Sequence, residues 1–408
     1  MSKELHQSPF NLTVIVAGLG FFVDAFDLFL FNIYRIPSLK ELGLSGTQLT
    51  TKGENLLAIQ MAGMIFGGII SGIIGDKYGR KKVLFASIIL YSMSNIANAF
   101  VNDTSTYAII RFLAGAGLAG ELGAGITLVS ESMSIEKRGY GTILVASMGA
   151  LGAVTAGLIG NVIPWRMAFF IAGCMGLLLL LLRMKLSEPT MFSKHASTAG
   201  IKKGSFLLLF SNKKRSIKYI ACVLMGVPIW YSVGILISLS PEIAELYHIE
   251  NLQLGTCFIL FQVGITLGDL SSGVLSQVFK SRKKILLSYM LLAILATGIH
   301  FLNIYKGLSL NSTSLWMGVG CGYLSIFVTA TAEHFGTNLR LLATATVTNF
   351  MRGSITILIP FHIWLQSQFQ VDLASSLLIT GLFVWITALC ATLYLPETYG
   401  KNLDYNEY

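Results

Sequence analysis

The chain has 408 residues, of which 54% are hydrophobic and only 12% are charged, and its mean hydropathy is +0.69. Soluble proteins carry about twice that share of charged residues, so the composition excludes a water-soluble globular protein. The formal net charge is +9, but the basic residues cluster in a few connections between apolar runs. That distribution is typical of a membrane protein and argues against nucleic-acid binding.

Apolar runs of about 20 residues, long enough to cross a bilayer as helices, recur along the whole chain. The sequence therefore predicts an all-α membrane protein with twelve transmembrane helices. The first run contains Asp24 and Asp27 and has no small-residue cleavage site, which indicates a retained span rather than a signal peptide. The predicted spans are residues 11–35, 55–75, 82–101, 105–131, 140–162, 166–184, 218–240, 254–279, 284–303, 313–333, 341–364 and 374–395.

The connections between these spans alternate in their content of Lys and Arg. Base-rich connections lie at 76–82, 137–138, 185–218 and 280–284, which places them and both termini in the cytoplasm. The stretch 185–218 is polar and interrupted by Pro and Gly, so it predicts a surface linker. The predicted organisation is an N-terminal six-helix half at 1–186, a cytoplasmic linker at 187–217, and a C-terminal six-helix half with a short tail at 218–408.

The two halves repeat one another at a nearly constant offset. "GRKKVL" at 79–84 matches "SRKKIL" at 281–286, and Gln60 matches Gln262. The same offset carries Glu131 and Arg138 onto another acid and base seven residues apart, Glu333 and Arg340. A duplicated unit of six spans is the architecture of a large class of secondary transporters.

The stretch "IISGIIGDKYGRKKVL" at 69–84 concentrates charge in a short connection. Gly79 permits a turn with positive φ. Asp76 can approach the N-terminus of a helix near Leu341, where the helix dipole favours an anion, and Arg80 could pair with Glu131. We expect a gating cluster that exists in one conformational state only; the alternative is that these charges only set topology. The cluster would comprise Asp76, Gly79, Arg80, Glu131, Arg138, Glu333 and Arg340.

Four motifs resemble the major facilitator superfamily over nearly the whole chain. "GIIGDKYGRKK" fits the signature G-x-x-x-D-x-x-G-R-K/R between the second and third spans. "RFLAGAGLAG" at 111–120 resembles the fourth-span motif, and "ESMSIEKR" at 131–138 resembles the acid and base that follow it. "LPETYGKNL" at 395–403 is similar to the tail of the sugar and organic-ion branches. The resemblance implies alternating access around a midplane site between two halves. In the second copy, Val278 and Ser281 replace the Asp and Gly, so a full latch is not expected there.

Four ionisable residues inside the spans are candidates for proton coupling, because such residues are costly in a bilayer. Asp24 and Asp27 share one helical face near mid-membrane, and two carboxylates in an apolar site favour uptake of a proton. Their D-x-x-D pattern also resembles the first span of aromatic-acid, metabolite and phosphate proton symporters. Glu121 is either a proton carrier or a structural partner of Arg111. Arg111 is either a packing anchor or the base that releases a proton from a neighbouring acid.

Arg352 is the residue most informative about substrate. It lies about 16 Å into the eleventh span, and a guanidinium in a low-dielectric cavity suits a carboxylate or phosphate. "RGSITILIP" resembles the corresponding stretch of organic-anion carriers, where an arginine faces the cavity. The alternative is a buried ion pair with Asp24 or Asp27. Four further residues lie at cavity-compatible depths, where each could contact substrate or serve only helix packing: Tyr231, Gln60, Gln262 and Asn349.

These features predict a proton-coupled symporter that takes up a small organic anion or carboxylate metabolite across a bacterial inner (plasma) membrane, acting as a monomer. The first alternative is an efflux antiporter of cationic or amphipathic compounds, and the second is a non-transporting receptor. No enzymatic activity is expected, because the sequence has no nucleophile–base pair or phosphate loop. No cofactor or metal is expected, since the histidines are scattered and the five cysteines have no paired spacing.

Overall fold

The computed structural model describes residues 11–134, 137–159, 162–184, 205–250, 252 and 254–407, and this part of the chain is α-helical apart from its connections. Eleven of its helices are long and apolar enough to span a membrane. The helix Arg80–Asn98 occupies the position of the predicted third span. Its hydropathy is lower because it starts with three bases and buries Ser and Asn side chains. It completes the twelve.

Most spans are single helices, and four spans consist of two helical segments each. In chain order they are α1 (Leu12–Glu41), α2 (Gly46–Tyr78), α3 (Arg80–Asn98), α4 (Thr104–Leu118), α5 (Glu121–Ser132), α6 (Arg138–Ile159), α7 (Trp165–Arg183), α8 (Phe206–Phe210), α9 (Lys213–Tyr231), a π-helix (Ser232–Ile237), α10 (Ser240–Leu246), α11 (Leu254–Val278), α12 (Arg282–Tyr305), α13 (Asn311–Cys321), α14 (Leu324–His334), α15 (Arg340–Gly353), α16 (Ile355–Phe369) and α17 (Leu373–Tyr394).

Short polar side chains begin several of these helices. Asn11 accepts a hydrogen bond from Val14 N at 3.1 Å, and Asp103 accepts one from Thr106 N at 2.8 Å. Asp372 caps α17 in the same way. Such caps satisfy backbone N–H groups that have no partner within the helix, and they fix where each span starts.

The four divided spans are a departure from the sequence prediction of continuous helices. The fourth span breaks at Ala119–Gly120, the tenth at Gly322–Tyr323 and the eleventh at Ser354, and the seventh passes into a π-helix shortly after Pro228. Proline and glycine remove the hydrogen bond or the packing that would continue a helix. Broken helices leave backbone groups available at depth, and in transporters such breaks surround binding sites.

Several predicted boundaries were also too short. The first helix continues through Pro37 to Glu41, and the second begins at Gly46. Of the predicted linker 187–217, residues 187–204 lie outside the described residues, and Lys213 already begins α9. The predicted helix ends coincide with the ends of the apolar runs. The helices themselves are longer, because polar residues outside the bilayer can continue a helix without raising the hydropathy.

By its internal contacts the chain forms two units. The first comprises Met1–Asn212, Thr331–Asn349 and Gly400–Tyr408. Within it α1 packs against α5, α6 and α7, α2 packs against α4, and α3 packs against α4 and α7. An aromatic core joins α1, α4 and α7; its largest members are Phe26, Phe31, Tyr34, Tyr107, Trp165 and Phe169.

The second unit comprises Lys213–Ala330 and Phe350–Tyr399. In it α11 and α12 pack against α13, and α9 packs against α17. Gly264 and Gly318 allow the backbones of α11 and α13 to approach closely, since a Cβ on either would meet a carbonyl oxygen of the other helix. The hydroxyl of Tyr231 donates to the Leu377 carbonyl at 2.7 Å and ties α9 to α17.

Candidate functional site

The connection between α2 and α3 has the geometry that the sequence predicts. Gly79 has φ of 111° and separates the two helices. Asp76 accepts hydrogen bonds from Leu341 N (3.2 Å) and Leu342 N (2.9 Å), at the N-terminus of α15. Arg80 pairs with Glu131 at 3.0 Å and with Asp76 at 3.2 Å. The predicted approach of Asp76 to this helix and the predicted Arg80–Glu131 pair are therefore confirmed.

The acid and base of one repeat pair with those of the other. Arg340 Nη1 lies 2.6 Å from Glu131, and Arg138 Nη1 lies 3.9 Å from Glu333. All four side chains are almost completely buried. Glu131 thus joins two guanidinium groups, from Arg80 and Arg340, at one carboxylate. We call Asp76, Arg80, Glu131 and Arg340 the loop cluster.

The end of the chain adds backbone contacts to the loop cluster. Arg340 Nη2 donates to the Leu403 carbonyl at 2.6 Å, and Thr337 N donates to the Tyr405 carbonyl at 2.8 Å. Asn338 and Glu407 exchange two hydrogen bonds, at 2.8 and 2.9 Å. This role of the tail was not predicted from the sequence, because the tail contributes backbone groups that any residue supplies.

Asp27 and Arg111 form a loose ion pair in the core of the first unit. Their nearest charged atoms are 3.7 Å apart, and both side chains are 0% exposed. Arg111 Nη2 donates instead to Asn95 Oδ1 at 2.8 Å. The guanidinium lies 4.8 Å from the ring centroid of Phe169 and 5.1 Å from that of Phe31. The interaction between Asp27 and Arg111 is therefore an electrostatic attraction without a short hydrogen bond, and Arg111 is held mainly by Asn95 and the two rings.

Glu121 does not pair with Arg111, so that sequence-based alternative is wrong. Its partner is Arg183, the last residue of α7, which reaches both carboxylate oxygens at 2.9 and 2.5 Å. Arg183 also donates to the Leu84 carbonyl at 2.5 Å. The sequence missed Arg183 because a base at the end of an apolar run is typical of a topology signal, and nothing in the local pattern shows that it points inward.

Arg352 lies in the last turn of α15, two residues before the break at Ser354, and is 6% exposed. A cation is favoured at that end of a helix. Its burial places it away from the lipid-facing surface.

The four predicted cavity residues differ in how their polar atoms are used. Asn349 Nδ2 donates to the Ala119 carbonyl at 3.0 Å, next to the break in the fourth span. The hydroxyl of Tyr231 donates to the α17 backbone, as expected for a residue that serves helix packing. Gln60 is fully buried, and neither atom of its amide has a hydrogen-bond partner among the described residues. Gln262 is buried on α11. Among the described residues, both polar atoms of the Gln60 amide and the Oδ1 atom of Asn349 are thus buried without a hydrogen-bond partner.

Two acids of the second unit were missed by the sequence analysis. Asp269 on α11 is buried and accepts a hydrogen bond from Ser325 N at 2.9 Å, at the start of α14. Glu397, in the tail motif, accepts from the Ser281 hydroxyl and from the backbone N–H of Arg282 (2.9 Å) and Lys283 (3.2 Å). Burial raises the pKa of Glu397, but these hydrogen bonds outweigh it, so its pKa is lowered overall.

Known proteins place this arrangement in a family. The profile of the Major Facilitator Superfamily matches residues 17–360. The niacin transporter NiaP of Acinetobacter baylyi is 33% identical over 42% of this chain, and the benzoate transport protein of the same organism is 32% identical over 46% of it. These matches span 39% and 42% of the two relatives.

A solved structure shares the fold over nearly the full length. The proton:xylose symporter XylE, bound to 6-bromo-6-deoxy-D-glucose, superposes with a TM-score of 0.76 and covers 96% of this chain and 97% of its own. The sequence identity is 16%, so this likeness concerns the fold alone. The family match, the twelve spans and the duplicated loop together show that the chain belongs to the Major Facilitator Superfamily and is an integral membrane protein.

Proposed function

We propose that this transporter couples the uptake of a small organic anion to protons, with Asp27 as the proton carrier and Arg352 as the anion ligand. The observation that carries the proposal is the Asp27–Arg111 pair, in which a buried carboxylate sits 3.7 Å from its cation. A buried carboxylate with a weak counter-charge gains little by staying ionised, so it can accept a proton at low cost. Arg111 then keeps its hydrogen bond to Asn95.

The proton cycle follows from these contacts. When Asp27 is protonated, Arg111 loses its counter-charge but remains between two aromatic rings and the Asn95 amide. When Asp27 releases the proton, Arg111 stabilises the anion that remains. In both protonation states Arg111 keeps its contacts with Asn95 and the two aromatic rings, so the pair can pass between the two states that a coupling site requires. Asp24, one turn earlier on the same helical face, belongs to this site in the proposal.

Arg352 supplies the charge complement for an anionic substrate. It is buried at a helix break, where a guanidinium can form a bidentate contact with a carboxylate. The names of the two relatives support a carboxylate, because niacin and benzoate are both aromatic monocarboxylates. Gln60 is the proposed second polar contact, since its buried amide has no hydrogen-bond partner in the described part of the chain. Aromatic monocarboxylates are accordingly the first substrates to test.

The loop cluster serves as the gate of this cycle. It joins α2, α3, α5 and α15 through four buried charged side chains and two backbone N–H groups. In the proposal these contacts hold in one state of the carrier and separate in the other. The organisation into halves at 1–186 and 218–408, a monomeric state, the inner membrane and cytoplasmic termini remain parts of the same proposal.

The substrate can be tested by thermal stabilisation of the purified protein with nicotinate, benzoate, aliphatic carboxylates, phosphate, sugars and organic cations. We expect aromatic monocarboxylates to raise the melting temperature of the wild-type protein and to have no effect on Arg352→Gln. Arg166→Gln is the matched control, since Arg166 pairs with Glu41 at a helix end and is partly exposed. Stabilisation by sugars or cations alone, or an unchanged response in Arg352→Gln, would overturn the assignment.

A further inference from the structure

The first unit holds two buried acid–base pairs, and the fourth span contributes one residue to each. Asp27 of α1 pairs with Arg111 of α4, and Glu121 of α5 pairs with Arg183 of α7. On α1, Gly20 contacts the second pair and lies seven residues before Asp27, or about 10 Å along the helix. The two carboxylates are therefore neighbours, and either could in principle exchange a proton.

The two carboxylates differ in how they are hydrogen-bonded to their arginines. Both oxygens of Glu121 bind Arg183 in a bidentate contact, at 2.9 and 2.5 Å, and the same guanidinium is anchored on the Leu84 carbonyl. The side chains of Arg183 and Glu121 are 0% and 3% exposed. The Asp27–Arg111 separation is 3.7 Å, without that geometry. Bidentate contacts compensate the cost of burying a carboxylate far better than a single long contact.

The backbone is shaped to seat the tighter pair. A Cβ at Gly20 would lie 2.8 Å from Glu121 Oε2 and would clash with the Arg183 guanidinium. Glu121 is itself the first residue of α5, directly after the break in the fourth span. The pair thus joins α1, α3, α5 and α7 next to the break in the fourth span, which also carries Arg111.

In the described part of the chain, Arg183 is the cation that pairs with Glu121. On α3, the hydroxyl of Tyr91 donates to the Ala172 carbonyl at 3.0 Å. On α1 the nearby acids are Asp24 and Asp27. Besides the Glu131–Arg340 pair of the loop cluster, α5 contacts α15 through Gly123 against Ala345 and through Thr127 against Thr344.

We propose that Arg183 is a positioning residue for proton coupling. It holds Glu121 as a permanent anion, and so leaves Asp27 as the carboxyl of these two that exchanges a proton. This inference rests on the proposed function. The absence of a side chain at Gly20 leaves room for this contact, so the Arg183 guanidinium can stay on both oxygens of Glu121 throughout the transport cycle.

The test is infrared difference spectroscopy of the reconstituted protein across pH, which reports protonated buried carboxyl groups directly. In the wild type we expect a band of this kind that is absent in Asp27→Asn and retained in Glu121→Gln. In Arg183→Gln a second band should appear, and it should vanish in the double variant Arg183→Gln/Glu121→Gln. Proton-driven uptake in Arg183→Gln should shift its midpoint pH by about one unit or more, and the double variant should restore it.

Two further variants keep the test decisive if Arg183→Gln folds poorly. Gly20→Ala disturbs the pair without removing a charge and should also produce the second band. Gly157→Ala is its control, because a Cβ there meets open space. Loss of the wild-type band in Glu121→Gln, or no second band in folded Arg183→Gln and Gly20→Ala, would overturn the role of Arg183.

The outcome also separates this inference from the proposed function. If the wild-type band persists in Asp27→Asn and uptake ignores the pH gradient, proton coupling through Asp27 is wrong. The appearance of a Glu121-dependent band in Arg183→Gln would still report on the Arg183–Glu121 pair alone.

Discussion

The loop after the second span and the loop after the eighth occupy equivalent positions in the two repeats. In each, a carboxylate lies at a helix N-terminus, but the two carboxylates come from different parts of the chain. In the first, Asp76 is part of the loop itself and reaches the N-terminus of α15, which belongs to the other repeat. In the second, Val278 replaces the acid, and Glu397 from the tail caps α12 of its own repeat. Both solutions place a carboxylate at a helix N-terminus, where the helix dipole stabilises it.

The difference teaches which loop can report on conformation. A contact between the two repeats changes when the repeats move, whereas a contact within one repeat survives. Two crossed pairs add to this contact: Glu131 pairs with Arg340 within the loop cluster, and Arg138 pairs with Glu333 beside it. In the second loop, Arg282 instead stacks on Tyr399 at 5.1 Å and donates to Ser276 at 2.8 Å. We therefore expect substitutions in the first loop to alter transport and those in the second to alter local stability.

The largest effect is expected for Glu131→Gln. The change leaves Arg80 and Arg340 buried without their shared carboxylate, and breaking a buried pair of this kind costs about 3–5 kcal/mol. The melting temperature of the purified protein should fall sharply. Glu245→Gln is the control, because Glu245 is exposed on α10. Equal melting temperatures for the two variants would contradict the central place of Glu131 in the loop cluster.

A smaller effect is expected for Asp76→Asn, which removes the charge but keeps one acceptor for the N–H groups of Leu341 and Leu342. Hydrogen bonds to a charged group contribute about 1.5–3 kcal/mol, so part of this should be lost. Hydrogen–deuterium exchange of a peptide covering 337–343 should become faster, while the start of α12 should be unaffected. Unchanged exchange in both regions would show that Asp76 does not hold α15.

The smallest effect is expected for Glu397→Gln, which weakens the cap of α12. Loss of a helix cap costs about 0.5–2 kcal/mol. Exchange should accelerate in the first turn after Ser281, with the loop cluster and the rate of uptake unchanged. A substantial loss of transport in Glu397→Gln would remove the distinction between the two loops.

The same residue gives a pH dependence with a defined sign. The pKa of Glu397 is lowered from its ordinary 4.5, so its stabilisation is present above that value and is lost as the pH falls through the lower folded-state value. The difference in melting temperature between the wild type and Glu397→Gln should therefore be constant near neutral pH and shrink below about pH 4. A difference that grew on acidification would have the wrong sign for this cap.

The sequence predicted the parts of the molecule that depend on strong local patterns. Twelve spans were predicted from apolar runs. The contacts of Asp76 and Arg80 were predicted from a charged motif, because a buried charge needs an opposite charge or a helix terminus as its partner. The breaks at Ala119–Gly120 and Ser354 were missed, because glycine and serine are common in unbroken membrane helices. Arg183 and Glu397 were missed for another reason. Their roles depend on which distant helix they face, and one sequence carries no information on that.

The most direct test of the account is the uptake of radiolabelled benzoate into vesicles that contain the purified protein, with and without an inward proton gradient. We expect the gradient to drive accumulation in the wild type. We expect Asp27→Asn, which mimics the protonated carboxyl, to retain exchange of internal for external substrate but to lose accumulation. Gradient-driven accumulation in Asp27→Asn equal to that of the wild type would contradict proton coupling through Asp27.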